Sequence, residues 1–252
     1  EAIASPASTA GQNWELARLC QSFASQQTDP HERALMQALP HCLPLLHTLD
    51  EADQTSVRRV LGHITQGQSL DMTRFGKGLN ALNTEAELAQ YTWLVAGCVG
   101  EFWTELCHRH LPGYSLLHQD EMLQLGRQYG MGLQRLNILR DARDDLAAGR
   151  CYFPLETLSR FGLTPQQLAD AAQQPGNGHS SALQTLTPLY SEWLAHTQAQ
   201  MAERMRYAAA LRPLRLRLAS ALPALIGART LALLRQTGPL ALRQRVKMPR
   251  HE

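Results

Sequence analysis

Asp141, Asp144 and Asp145 crowd together in the middle of LQRLNILRDARDDLAAGRCYFP, residues 133–154, in an otherwise apolar helical pattern. Carboxylates that close repel one another unless water screens them or a positive charge sits among them. On a helix advancing ~100° per residue, Gln134, Asn137, Asp141 and Asp145 fall on one stripe, at i, i+3, i+7 and i+11. Leu136, Leu139 and Leu146 fall on the opposite side. A solvated stripe would usually carry Lys and Glu. This one carries short oxygen-bearing side chains, and aspartates four residues apart lie side by side. Mg²⁺ accepts such a pair, because it binds through one or two carboxylates and keeps its other positions for water and substrate phosphates. A D-x-x-x-D pair alone is weak, since exposed helices carry it by chance.

The elements that must position this stripe read as helices. Leu, Ala, Gln and Arg dominate the 252 residues, while Val and Ile are few. Helices are expected at 13–27, 30–39, 54–75, 84–110, 119–147, 165–173, 183–210 and 213–236. Gly149 and Pro154 stop the fifth of these. LPGY at 111–114 is a turn, and QPGNGHSS at 174–181 is a polar loop. No linker divides the chain, so residues 1–252 are expected to form one all-α domain. No uninterrupted apolar run is long enough to span a bilayer. Five cysteines, an odd number without a C-x-x-C pair, disfavour a disulfide framework and fit a reducing cytoplasm. From Met201 onward, only Glu203 and Glu252 oppose a series of arginines, which suggests an anionic partner. The basic end lacks interleaved aromatics, so nucleic acid is not expected.

The carboxylate segment resembles the second aspartate-rich motif of the squalene and phytoene synthase family, the head-to-head prenyl synthases. That pattern reads roughly L-Q-x-x-N-I-x-R-D-x-x-x-D, then G-R-x-Y-x-P. Gln134, Asn137, Ile138, Arg140, Asp141, Asp145, Gly149, Arg150, Tyr152 and Pro154 fit it. YTWLVAGCVGEFWTELC, 91–107, resembles the family's Y-x-x-x-V-A-G-x-V-G helix, with Tyr91, Val95 and Cys98 expected on one face. Gly97 and Gly100 would admit close approach of a helix or ligand. GQSLDMTRFG, 67–76, resembles a helix that usually reads G-M-x-x-D, with Gln68 where Met is common. LASALPALIGARTLALL, 218–234, resembles the helix that closes an apolar tunnel.

The resemblance implies an isoprenoid synthase bundle around a central apolar cavity. It implies Mg²⁺ held by Asp141 and Asp145, and Tyr91 at the reaction centre as a base or as a ring facing a carbocation. Gln134, Asn137, Arg140, Arg150, Val95, Gly97 and Cys98 would contact substrate, although Arg140 is expected to project away from the aspartate stripe. The family's first D-x-x-x-D motif has no match here, and the acids of TLDEADQ, 48–54, do not replace it. It belongs just before a segment resembling EAIASPAS, so the chain reads as a fragment without the helices that carry it, and VKMPR, 246–250, resembles the approach to a final helix.

The wording of VAGCVGEFW and ALPALIGARTLALL looks most like bacterial squalene synthases. The implied reaction joins two farnesyl diphosphates through presqualene diphosphate to squalene, with NADPH as hydride source. The rival within the family is phytoene synthase acting on geranylgeranyl diphosphate. A rival of another class is a non-catalytic relative serving as an assembly factor. Lipid substrates and products fit a cytoplasmic protein in peripheral contact with the inner membrane.

Overall fold

The computed structural model describes residues 9–173 and 181–248. EAIASPAS, all but the last residue of the 174–181 loop, and the end of VKMPR lie outside the described residues. The chain divides into two compact units, Glu1–Thr65 and Gln66–Glu252.

In the first unit, α1 (Thr9–Gln26), α2 (Pro30–Ala38) and α3 (Cys42–His47) precede the start of α4 (Glu51–Arg74). Asp29 caps α2 by accepting from the His31 N–H at 2.7 Å, and Pro30 takes the first helical position, where its missing N–H is harmless. Leu16, Cys20 and Leu46 form a small core with Leu39 and Val57.

The second unit is built on α7 (Gln119–Ala147), which packs against α6 (Cys98–His110) and α11 (Thr187–Ala210), and also touches α5 (Glu85–Thr92), α9 (Pro165–Gln173) and α12 (Leu214–Thr237). The core-side positions of α7 behave as its period requires: Leu136, Leu139 and Leu146 are buried. The amino-terminal half of α7 approaches its neighbours through glycines. A Cβ on Gly130 would fall on the Ala96 carbonyl, and one on Gly100 would fall on the Gly126 carbonyl. Gly100 thus admits a helix, α7. Arg204 of α11 is fully buried beside Gly132, and its Nε and Nη2 find no hydrogen-bond partner. Burial lowers its pKa to about 10.

Two features interrupt plain helix. Between α5 and α6, Trp93–Gly97 forms a π turn. The wider turn adds a residue to the local register. It therefore splits the face expected to join Tyr91, Val95 and Cys98. The second is a parallel pairing of two-residue strands, β1 (Asn80–Ala81) with β2 (Arg150–Cys151). Gly149 ends α7 with φ +80°, and a Cβ there would lie 2.6 Å from the Gly78 carbonyl oxygen. The following backbone then runs along 80–83: Asn80 N–H donates to Gly149 O at 3.0 Å and Leu155 N–H to Leu82 O at 2.8 Å. α8 (Leu155–Arg160) follows directly, and α10 (Ser181–Thr185) precedes α11.

One expectation is corrected. Leu214–Leu242 is long and apolar enough, by length and composition, to cross a membrane. The arginines spaced along it hide this from a search for uninterrupted apolar runs. Ala224, Leu231 and Leu234 of its inner side are buried, whereas Leu218, Leu222 and Leu225 are exposed.

Candidate active site

Asp141 and Asp145 emerge from the carboxy-terminal half of α7, while Asp144 points to solvent. Each of the two is held by an arginine. Arg150, placed by the β1–β2 pairing, donates to Asp145 Oδ1 from Nε at 3.1 Å and from Nη2 at 2.7 Å. Arg140 does not stand off the stripe. Its long side chain turns back and grips Asp141 with two bonds, Nε to Oδ1 at 2.8 Å and Nη2 to Oδ2 at 2.5 Å. Asp145 is the more sheltered, with 15% side-chain exposure against 36% for Asp141. Burial pushes the Asp145 carboxyl above the usual carboxylate range; Arg150 pulls it back, and the charges of Asp141 and Asp71 add to the rise.

Tyr91 is buried at the other side of this cluster. Its ring stacks on Tyr152 with centroids 5.0 Å apart, and its hydroxyl donates to the Tyr152 oxygen at 3.2 Å. Tyr152 in turn donates to Asp71 Oδ1 at 2.6 Å. Burial raises the Tyr91 pKa to about 12, so the phenol stays protonated at neutral pH. α5 is anchored at its start: the Thr84 side chain caps it by accepting from Glu87 N–H at 3.1 Å, and the Asn83 N–H donates to the Glu87 carboxylate at 2.6 Å. An N-cap of this kind contributes about 1 kcal/mol.

A groove of about 500 Å³ opens along α7 between α6 and α12; its lining reaches Asn137, one helical turn before Asp141, and includes neither Asp141 nor Asp145. Its walls are Val95, Val99 and Trp103 on one side and Ala219, Ser220 and Pro223 on the other, over a floor of Gly126, Gly130 and Leu133. Gln134 and Asn137 form its polar end. The next turn of α7 along that stripe carries Asp141. Pro223 lacks the N–H of a helix-interior residue, and nearby the Tyr129 hydroxyl donates to the Ser220 carbonyl at 2.6 Å. The groove lies within the size range of small-molecule sites.

The structure thus brings Tyr91, Asp141, Asp145, Arg140 and Arg150 to one end of α7, and places Gln134, Asn137 and Val95 on the groove. Cys98 and Gly97 do not line it. Cys98 is buried with its thiol donating to Leu94 O at 3.1 Å, and burial raises its pKa to about 11. Gly97 faces Met131 and Trp93. Two participants were missed as site residues: Asp71 and Tyr152. Both stood inside recognised motifs, but only their meeting, across 81 residues, reveals a role.

An almost entirely helical bundle, with paired aspartates and an apolar groove on successive turns of one helix, is the framework of an isoprenoid synthase. The chain belongs to the squalene/phytoene synthase family, whose model matches residues 4–252. Among curated proteins it is 36% identical over 110 residues to a bifunctional lycopene cyclase/phytoene synthase of Arthroderma gypseum, covering 43% of this chain and 18% of that one. It is 29% identical over 140 residues to squalene synthase ERG9 of Saccharomyces cerevisiae, covering 56% and 31%. The matched parts therefore span less than a third of these relatives. The crystal structure of squalene synthase HpnC from Alicyclobacillus acidocaldarius shares the fold, with a TM-score of 0.58 at 21% identity, over 94% of this chain and 78% of that one.

Proposed function

We propose that the protein condenses two farnesyl diphosphates head to head, through presqualene diphosphate, to squalene. The observation that carries this reading is the continuity of one stripe of α7, from an apolar groove through Gln134 and Asn137 to Asp141 and Asp145. A prenyl tail would lie in the groove, with its diphosphate towards the carboxylate end.

The donor set suits Mg²⁺, since two carboxylates supply hard oxygens and leave positions for phosphate. Among the described residues no group of three or more His, Cys, Asp or Glu could hold a metal unaided. The diphosphate would complete the coordination. Asp141 and Asp145 would hold the ion, which when bound supplies Lewis-acid neutralisation of the leaving diphosphate. Arg140 and Arg150, released from their aspartates, would donate to phosphate oxygens. Gln134 and Asn137 would orient them. Scission of the C1–O bond leaves an allylic cation, which Val95 and the groove walls shield from water. The C2–C3 double bond of the second substrate attacks it, and loss of a proton closes the cyclopropane of presqualene diphosphate. Tyr91 would accept that proton through its oxygen or face the cation with its ring. A second ionisation would expel the remaining diphosphate, and NADPH, when bound, would supply the hydride that quenches the rearranged cation. This reading sets the protein in the cytoplasm, in peripheral contact with the inner membrane that receives its product.

A second reading, phytoene formation from geranylgeranyl diphosphate with proton loss in place of hydride, is favoured by the identity to the Arthroderma protein. The deciding assay offers the full-length protein each diphosphate with Mg²⁺, with and without NADPH, and identifies the hydrocarbon by mass spectrometry. Squalene that requires NADPH supports the first reading. Phytoene without it supports the second. Diphosphate release from neither substrate defeats both and favours a non-catalytic relative.

A further inference from the structure

The G-x-x-x-D segment of α4 has a geometric reason. A Cβ on Gly67 would press on the Val95 side chain at 2.6 Å and on the Leu94 Cβ at 3.1 Å. The bare glycine therefore lets α4 lie against the π turn that follows Tyr91. One helical turn later, Asp71 meets the Tyr152 hydroxyl at 2.6 Å. Phe75, a further turn on, closes the far side of Tyr152 with an edge contact at 5.0 Å.

The order of donors in this chain is dictated by chemistry. An ionised carboxylate only accepts, so the Tyr152 proton is committed to Asp71. The Tyr152 oxygen is then free to accept from Tyr91. Tyr91 therefore spends its own proton inside the relay and keeps its lone pairs for another partner. Without Asp71, Tyr152 could donate to Tyr91 instead, and the lone pair would be occupied.

We propose that Asp71 is a positioning residue that acts through Tyr152 to hold the Tyr91 hydroxyl with its lone pairs free for the reacting prenyl group. The proposal rests on the prenyl-transfer reading for the identity of that group, while the relay itself can be tested without turnover.

The experiment compares Asp71→Leu, Asp71→Asn, Tyr152→Phe and the Asp71→Leu/Tyr152→Phe double variant in the full-length protein. Asp71→Leu and Tyr152→Phe should each lower kcat about thirty-fold, the effect of one oriented hydrogen bond to a charged group, with KM for the diphosphate substrate nearly unchanged. The double variant should fall no further than either single one. Asp71→Asn keeps an acceptor oxygen and should retain kcat within about threefold. In protein labelled with ¹³Cζ-tyrosine, Asp71→Leu should move the Tyr91 resonance, which Asp71 does not touch, and leave Tyr190 and Tyr207 in place. Multiplicative losses in the double variant would overturn the relay. An Asp71→Asn as impaired as Asp71→Leu would assign Asp71 a charge role instead. A wild-type protein inactive on prenyl diphosphates would remove the proposed function, and the Tyr91 resonance would still decide the relay: unmoved, it refutes it. Should Asp71→Leu not fold, Tyr152→Phe and Asp71→Asn carry the same comparison.

Discussion

The two halves of α7 solve opposite problems. The amino-terminal half gives up side chains: Gly126 and Gly130 let backbone meet backbone against α6 and the π turn. The carboxy-terminal half gathers charge, with two aspartates each held by an arginine. The first half is stabilised by close packing. The second keeps buried and half-buried charges that burial alone would disfavour. One helix thus supplies both a glycine-lined groove floor and a charged end, and on the proposed function it is the charged end that would meet diphosphate and metal.

The largest effect should come from the charged half. Asp141→Asn and Asp145→Asn in the full-length protein should each lower prenyl diphosphate turnover by at least about a thousandfold, as expected when charge stabilisation at the leaving group is lost. Helical circular dichroism should be unchanged, and near-normal turnover in both variants would sink the metal assignment. In the glycine half, Gly130→Leu would force the Ala96 carbonyl away and should cost about 3 kcal/mol, read as a lowered denaturant midpoint. A midpoint equal to wild type would mean that the close approach is not needed.

At the junction of the halves, Arg204→Met should raise stability by about 1–2 kcal/mol, because the buried guanidinium leaves Nε and Nη2 unbonded. A fall in stability would show that the charge has a counterpart. The smallest effect is the sharpest test of the contrast. Folding raises the Asp145 pKa, so the native state binds that proton more tightly than the unfolded chain. Wild-type stability from this group is therefore greatest in acid and is lost as pH rises through the ordinary carboxylate pKa to the raised one. Asp145→Asn should melt slightly above wild type at neutral pH, with the gap closing in acid, even as activity vanishes. A lower melting temperature at neutral pH would mean that the Arg150 pair outweighs burial.

Much of this was legible in the sequence. The expected helix 119–147 coincides with α7 because its apolar period is strong and Gly149 gives a clear stop. The aspartate stripe followed from the same period. The π turn at Trp93–Gly97 was not legible: it changes which carbonyl each N–H reaches, and the apolar pattern reads the same on either side. The helix expected at 183–210 breaks at Leu186, just ahead of Pro188. Arg140 illustrates another limit, since spacing fixes where a Cβ points and not where a long guanidinium ends. Asp71 was quoted inside a motif yet given no role, because its partner lies in a distant segment. An acid one turn after a helix-contact glycine was the available signal.

The short β1–β2 ladder has a consequence in time. It joins segments about seventy residues apart, and long-range closures of this kind are slow compared with helix formation. Arg150 and Tyr152 take their places only when that ladder forms. In refolding, far-ultraviolet circular dichroism should therefore recover before the tyrosine and carboxylate cluster is assembled, leaving an interval in which the chain is helical but has no site.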